Sequence, residues 1–170
     1  MKTMLITLAA TIALLAIAAI ALHREQRLER TVDIAAPPEK VWEALTDFTA
    51  YGEWNPFIRE LSGTPEAGQK LTARIHPAGG KAMTFTPTVL AAEPGRELRW
   101  LGRVFVPRLL DGEHSFVIEP TATGSRLTHA EEFRGVLVPL VGSALDVGDD
   151  FDAMNAALKE RVEASVSIAR

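Results

Sequence analysis

The sequence predicts an α+β domain in which a curved antiparallel sheet wraps around one long C-terminal helix. Three observations predict it. About six short β-forming stretches between residues 58 and 134 are separated by turn residues. A long amphipathic segment follows them. Only two short helical stretches lie near the start, so sheet and long helix must bury most of each other's apolar surface.

Residues 4–22 form an uncharged apolar run, MLITLAATIALLAIAAIAL, flanked by Lys2 on one side and His23, Arg24, Arg27 and Arg30 on the other. At about 1.5 Å per residue it reaches roughly 28 Å, close to a bilayer's hydrocarbon thickness. It reads as a retained single-pass anchor, with residues 1–28 as anchor and stalk and 29–170 as the domain. A cleaved signal ending at Ala19-Ile20-Ala21, giving a secreted or periplasmic product, is the alternative. The basic residues on both flanks leave the orientation open.

Residues 23–30 (HREQRLER) are polar and are expected to continue as a short helical stalk. Thr31 to Ala35 then alternates, with Val32 and Ile34 on one face, as a half-buried strand does. Pro37-Pro38 ends that strand and opens a helix carrying Val41, Trp42, Ala44 and Leu45, since a proline lacks only a dispensable N–H at a helix start. Residues 51–57 (YGEWNPF) read as a second short helix or a tight turn dense in aromatics, with Asn55 capping or bracing it. Strands are expected over 58–61, 70–76, 83–92, 96–103, 112–119 and 126–134, with turns at Ser62-Gly63, Gly79-Gly80, Pro94-Gly95 and Gly124 between them.

The last element is expected over residues 146–165. Val147, Phe151, Met154, Leu158 and Val162 recur every three or four residues as one apolar stripe. Asp149, Asp150 and Asp152 sit in its first turns, where the helix dipole favours negative charge.

The segments TVDIAAPPEKVWEALTDF (31–48), YGEWNPFI (51–58), SRLTHAEEFRG (125–135) and FDAMNAALKERVE (151–163) resemble the START-like superfamily. They are most similar to its SRPBCC group of polyketide cyclase/dehydrase and lipid-transport proteins. The resemblance covers residues 30–165 and implies the helix-grip fold. It implies function only loosely, because the superfamily holds lipid carriers, cyclases, oxygenase subunits and Hsp90 co-chaperones. No Rieske or non-haem iron motif of the oxygenases is present.

Composition narrows the chemistry. With a net charge of −4 and no basic run, the chain lacks the clustered Lys and Arg that phosphate contacts need, so nucleic acid is not an expected partner. The absence of cysteine removes disulfides, thiolate metal sites and a cysteine nucleophile. Four scattered histidines without ligand spacing predict no metal site, no phosphate loop or dinucleotide fingerprint predicts a cofactor, and no Gly-x-Ser-x-Gly motif offers a serine nucleophile.

Strand alternation selects the polar groups that face inward. His114, Phe116 and Ile118 share one face; Leu127, His129, Glu131 and Phe133 share another. The turn between them pairs Ile118 with Leu127, Phe116 with His129, and His114 with Glu131. One reading of His114, His129 and Glu131 is an acid–base cluster able to move protons on a bound carbonyl compound. Another is a buried polar patch whose members satisfy one another, and a third is that the pair anchors a ligand headgroup without any chemistry. Trp54, Phe57, Phe85, Leu98, Trp100, Phe116, Ile118, Phe133, Met154 and Leu158 are the candidate walls of a ligand cavity. Residues 135–142 (GVLVPLVG) either plug one end of the cavity as core or, in a tethered protein, touch the bilayer or gate ligand entry.

The function expected first is a membrane-tethered binding protein for a small hydrophobic molecule or lipid, without chemistry of its own. A cyclase/dehydrase-like enzyme using the His/Glu cluster is the alternative. A protein-interaction module resembling the co-chaperones is a third.

Overall fold

The computed structural model describes residues 23–168, together with residues 6, 7 and 11. The apolar run over 4–22, the expected membrane segment, thus lies almost wholly outside the described residues. Among those described, no helix is long and apolar enough to cross a membrane.

Strand β1 spans Arg24–Ile34, eleven residues, where a helical stalk was expected over the first seven. Its pattern alternates exposed and half-buried side chains, and it pairs residue for residue with the far end of β8, Arg24 opposite Gly135 and Arg30 opposite His129. The reason lies in the partner. Buried strand edges need their N–H and C=O groups satisfied, and that need outweighs the weak helical preference of a polar run. Ion pairs of Arg27 with Glu132 and of Glu25 with Arg134 bind the two strands on their outer face.

Helix α1 (Pro38–Thr46) starts on proline and buries Val41 and Leu45 completely. A 3-10 turn over Phe48–Ala50 leads into α2 (Tyr51–Trp54). The Tyr51 hydroxyl donates to the Leu45 carbonyl at 2.7 Å, tying the two helices together inside the core. Asn55 is fully buried, and its Oδ1 accepts from the backbone N–H of Phe57 and of Ile58 at 2.9 and 2.8 Å. That brace turns the chain into β2 (Ile58–Ser62).

The sheet region is two sheets rather than one. Strands β2, β3 (Thr72–Ile75) and β4 (Met83–Phe85) form a three-stranded sheet in that order. Strands β5 (Thr88–Glu93), β6 (Glu97–Arg103), β7 (Asp111–Thr121) and β8 (Gly124–Gly135) join β1 in the order β1-β8-β7-β6-β5. The single strand expected over 83–92 divides at Pro87, which cannot donate to a ladder, and its halves enter different sheets. Backbone bonds from Leu71 to Pro87 and from Val89 to Gln69 keep the sheets hinged at this point. The hinge gives the wall its curvature.

After β8 come a short helix α3 (Val138–Val141) and a 3-10 turn over Gly142–Leu145. Helix α4 (Gly148–Ile168) then lies in the curve of the sheets. Phe151, Met154, Leu158 and Val162 face the strands and are buried, each fully buried apolar side chain contributing about 1.5–3 kcal/mol. Polar ties hold the helix to β1 at three levels: Arg30 to Asp152 at 3.0 Å, Lys159 Nζ to the Asp33 carbonyl at 2.6 Å, and the Ala35 N–H to Glu163 at 2.7 Å.

Candidate functional site

The two-residue turn between Thr121 and Gly124 fixes the β7–β8 register. A Cβ at residue 124 would stand 2.2 Å from the Ile34 carbonyl, so glycine is what lets β1 end against this turn. The register pairs Ile118 with Leu127, Phe116 with His129 and His114 with Glu131. All three pairs are those the alternation of apolar residues predicts.

His114 Nδ1 and Glu131 Oε2 are hydrogen-bonded. His114 Nε2 meets His129 Nε2 at 2.9 Å, and His129 Nδ1 meets Asn155 Oδ1 of α4 at 3.0 Å. The four side chains form one continuous buried chain from strand to helix. Burial pushes the His129 imidazole well below its ordinary pKa, and the neighbouring His114 adds to that; the bond to Asn155 acts against it. Neutral His129 donates Nδ1–H to Asn155, so its Nε2 accepts from His114 Nε2–H. One proton then lies between His114 Nδ1 and Glu131 Oε2, and the chain closes whichever of the two holds it.

Aromatic rings enclose the chain. Trp100 stacks on His114 with ring centres 4.8 Å apart, and Phe151 stacks on His129 at 3.6 Å. Phe116 lies beside both imidazoles. The surroundings are largely apolar, which strengthens the hydrogen bonds and makes an unpaired member costly.

A cavity of about 320 Å³ lies between the three-stranded sheet, the ends of β6–β8 nearest α3, and the start of α4. Of the ten predicted wall residues, Phe57, Phe85, Trp100 and Phe133 line it. Leu98, Phe116, Ile118, Met154 and Leu158 do not: they are buried core, because the central turns of α4 seat directly on the sheet and fill that space. Trp54 is half-buried and stacks edge-on against Tyr51, also away from the cavity. His114 and Glu131 reach the cavity wall, whereas His129 is sealed behind them. Sequence reasoning missed Ala73, Ile75, Val104 and Leu110, which also line it. It also missed Asn155, whose place among Phe151, Met154 and Leu158 on the buried stripe was the available signal.

Gly112 makes room for the polar spot. A Cβ there would stand 2.6 Å from Glu131 Oε1 and 3.4 Å from the Phe133 ring. The carboxylate therefore occupies space that any other residue at 112 would contest. Of residues 135–142, Val138 is buried, Val141 lines the cavity, and Leu140 is exposed.

An open cavity under a bent antiparallel sheet, closed by a long helix, defines the helix-grip class. The chain belongs to the polyketide cyclase/dehydrase and lipid transport family, whose model matches residues 25–163. It is similar to protein MLL2253 from Mesorhizobium loti at 25% identity and a TM-score of 0.60, covering 84% of this chain and 98% of that one. It shares its fold with the Zhui aromatase/cyclase of a Streptomyces species, at 18% identity, TM-score 0.64 and 84% and 96% coverage. It shares it also with a Thalictrum flavum norcoclaurine synthase point mutant, at 13% identity, TM-score 0.65 and 84% and 97% coverage. No curated protein matches the chain.

Proposed function

We propose that this protein is a membrane-tethered binding protein for a small, mostly apolar molecule carrying one hydrogen-bonding group. One observation carries the reading: the cavity is lined mostly by apolar side chains, with the Glu131–His114 pair as a polar spot in its wall and Arg103, paired with Asp111, the other charged lining residue. About 320 Å³ is at the small end of ligand sites, which span roughly 300–1,000 Å³, so the ligand is a compact molecule or a single chain rather than a whole two-chain lipid. A family that includes lipid transport supports it. The apolar run over 4–22 supplies the tether. The test is saturable uptake of a fluorescent apolar probe by the full-length chain in lipid nanodiscs. Uptake equal to that of empty nanodiscs refutes the reading.

A second reading rests on the buried chain of Glu131, His114, His129 and Asn155. A carboxylate at the cavity wall, backed by an imidazole that can share its proton, is fit to take a proton from a bound poly-carbonyl compound and return it elsewhere. Cyclisation or dehydration are the reactions this would serve. Glu131→Gln separates the two readings: a carrier keeps apolar probe uptake and shows no turnover in either form, whereas an enzyme loses turnover on substitution.

A further inference from the structure

The sheet register sorts the molecule into two ends. Arg24 pairs with Gly135, Asp111 with Arg134, and Arg103 with Asp111, so the start of β1, the end of β8 and the 104–110 loop share one end. The opposite end carries the turn between Thr121 and Gly124. Only His23 separates the apolar run over 4–22 from β1. A tether through that run therefore holds the first end, and with it the cavity mouth, next to the bilayer.

The same end carries the exposed apolar side chains. Phe105 is 90% exposed, Leu140 74% and Val106 57%, and Met83 on the cavity wall is 45% exposed. Among the described residues of the folded domain, Leu90 alone is a large exposed hydrophobic elsewhere. Phe105 and Arg108 have φ of 63° and 67°, a conformation that bulky residues adopt only under constraint. The constraint is visible: around Phe105 the Val104 N–H donates to the Leu110 carbonyl and the Val106 N–H to the Val104 carbonyl, while the Arg108 and Leu109 carbonyls accept from Val136 and Leu137 and Asp111 accepts from the Arg108 N–H. The loop is thus fastened in a form that presents a phenyl ring outward, where water disfavours it. Arg103 and Arg108 flank this apolar tip in the chain, Arg103 pairing with Asp111, and cationic residues adjoining apolar ones suit a surface that is apolar within and anionic outside.

From these relations, and resting on the tethering and ligand readings above, we infer that the 104–110 loop and α3 form a lip that enters the bilayer through Phe105, Val106 and Leu140. The cavity mouth, walled by Val104, Leu110 and Val141 of the lip itself, then opens onto lipid. The ligand passes between bilayer and cavity without crossing water.

The test uses the full chain, which has no native cysteine. Phe105→Cys and Ala122→Cys variants, Ala122 being exposed at the opposite end, are labelled with the environment-sensitive NBD fluorophore. They are reconstituted into phosphatidylcholine/phosphatidylglycerol vesicles with or without brominated acyl chains. The lip predicts loss of most NBD emission at 105 and none at 122 with brominated lipid. A chain that floats with the vesicles but shows no loss at 105 overturns the lip and leaves the tether standing. A label at 105 shielded from aqueous iodide yet untouched by bromine also overturns it, assigning the patch to a second copy of the chain. A chain that fails to float overturns tether and lip together.

Discussion

Glu131 and His114 stand directly opposite each other on β8 and β7, and their side chains close a hydrogen bond at the wall of the cavity. Behind them His129 and Asn155 extend the chain into α4, with Trp100 and Phe151 stacked along it. This relation couples the ligand site to the packing of sheet on helix. A change at the cavity wall is felt in the core, and protonation of the core is felt at the wall.

His129 makes stability depend on pH. Folded His129 has its pKa held far below the value of about 6.5 that an unfolded histidine shows. Below pH about 6.5 the unfolded chain binds a proton that the folded chain refuses, so stability falls as pH falls through that point. The slope approaches about 1.4 kcal/mol per pH unit. Urea unfolding between pH 5 and 8 checks this, and His129→Gln flattens the profile. Glu163 and Asp33, whose carboxyls are held below their ordinary values by the Ala35 N–H with Lys159 and by Arg126 respectively, act only at lower pH.

Gly112→Ala separates site from scaffold. The added methyl group meets Glu131 Oε1 at the end of a side chain that can turn aside, and parting a buried hydrogen-bonded pair costs about 1–3 kcal/mol. The carboxylate is displaced from His114, and affinity for a ligand with a hydrogen-bonding group falls about tenfold, one such bond being worth about 1.4 kcal/mol. Equilibrium probe titration beside thermal unfolding measures both.

Cavity wall and core respond oppositely. Phe85 is half-buried and lines the cavity; Leu158 is fully buried and does not. Phe85→Ala costs about 1 kcal/mol of stability and weakens uptake of an apolar probe. Leu158→Ala costs about 2–5 kcal/mol and leaves uptake by the folded protein nearly unchanged. Equal effects of the two substitutions on uptake would contradict the assignment.

Truncation tests the long first strand. A chain starting at residue 29 loses the partners of Glu131 to Gly135 on β8, leaving a sheet edge open. Self-association follows, because unpaired strand edges template pairing with another chain. Light scattering shows it against a chain starting at residue 23.

Much of this was legible in the sequence, and the remainder has physical reasons. Alternation in β7 and β8 and the short turn at Gly124 set the register, because a one-residue slip would turn His114 and Phe116 out to solvent. The stripe on α4 showed which face is buried. Arg24 to Arg30 as a strand was not legible, since its extended form comes from the β8 edge and not from its own residues. The division at Pro87 followed from a missing N–H, a signal present but read as strand interior. The cavity's position was the least legible part. Phe116 and Met154 look no different from Phe85 and Phe133 in sequence, and where α4 seats closely or stands off depends on the hinge between two sheets.

The most direct measurement is native mass spectrometry of the full-length chain, released from detergent, beside Ala73→Phe, which fills the cavity from its wall. The account predicts one small apolar molecule bound per chain, or one probe taken up at saturation, and neither in the filled variant. A wild-type chain that carries nothing and saturates with nothing, or a filled variant that binds equally well, contradicts it.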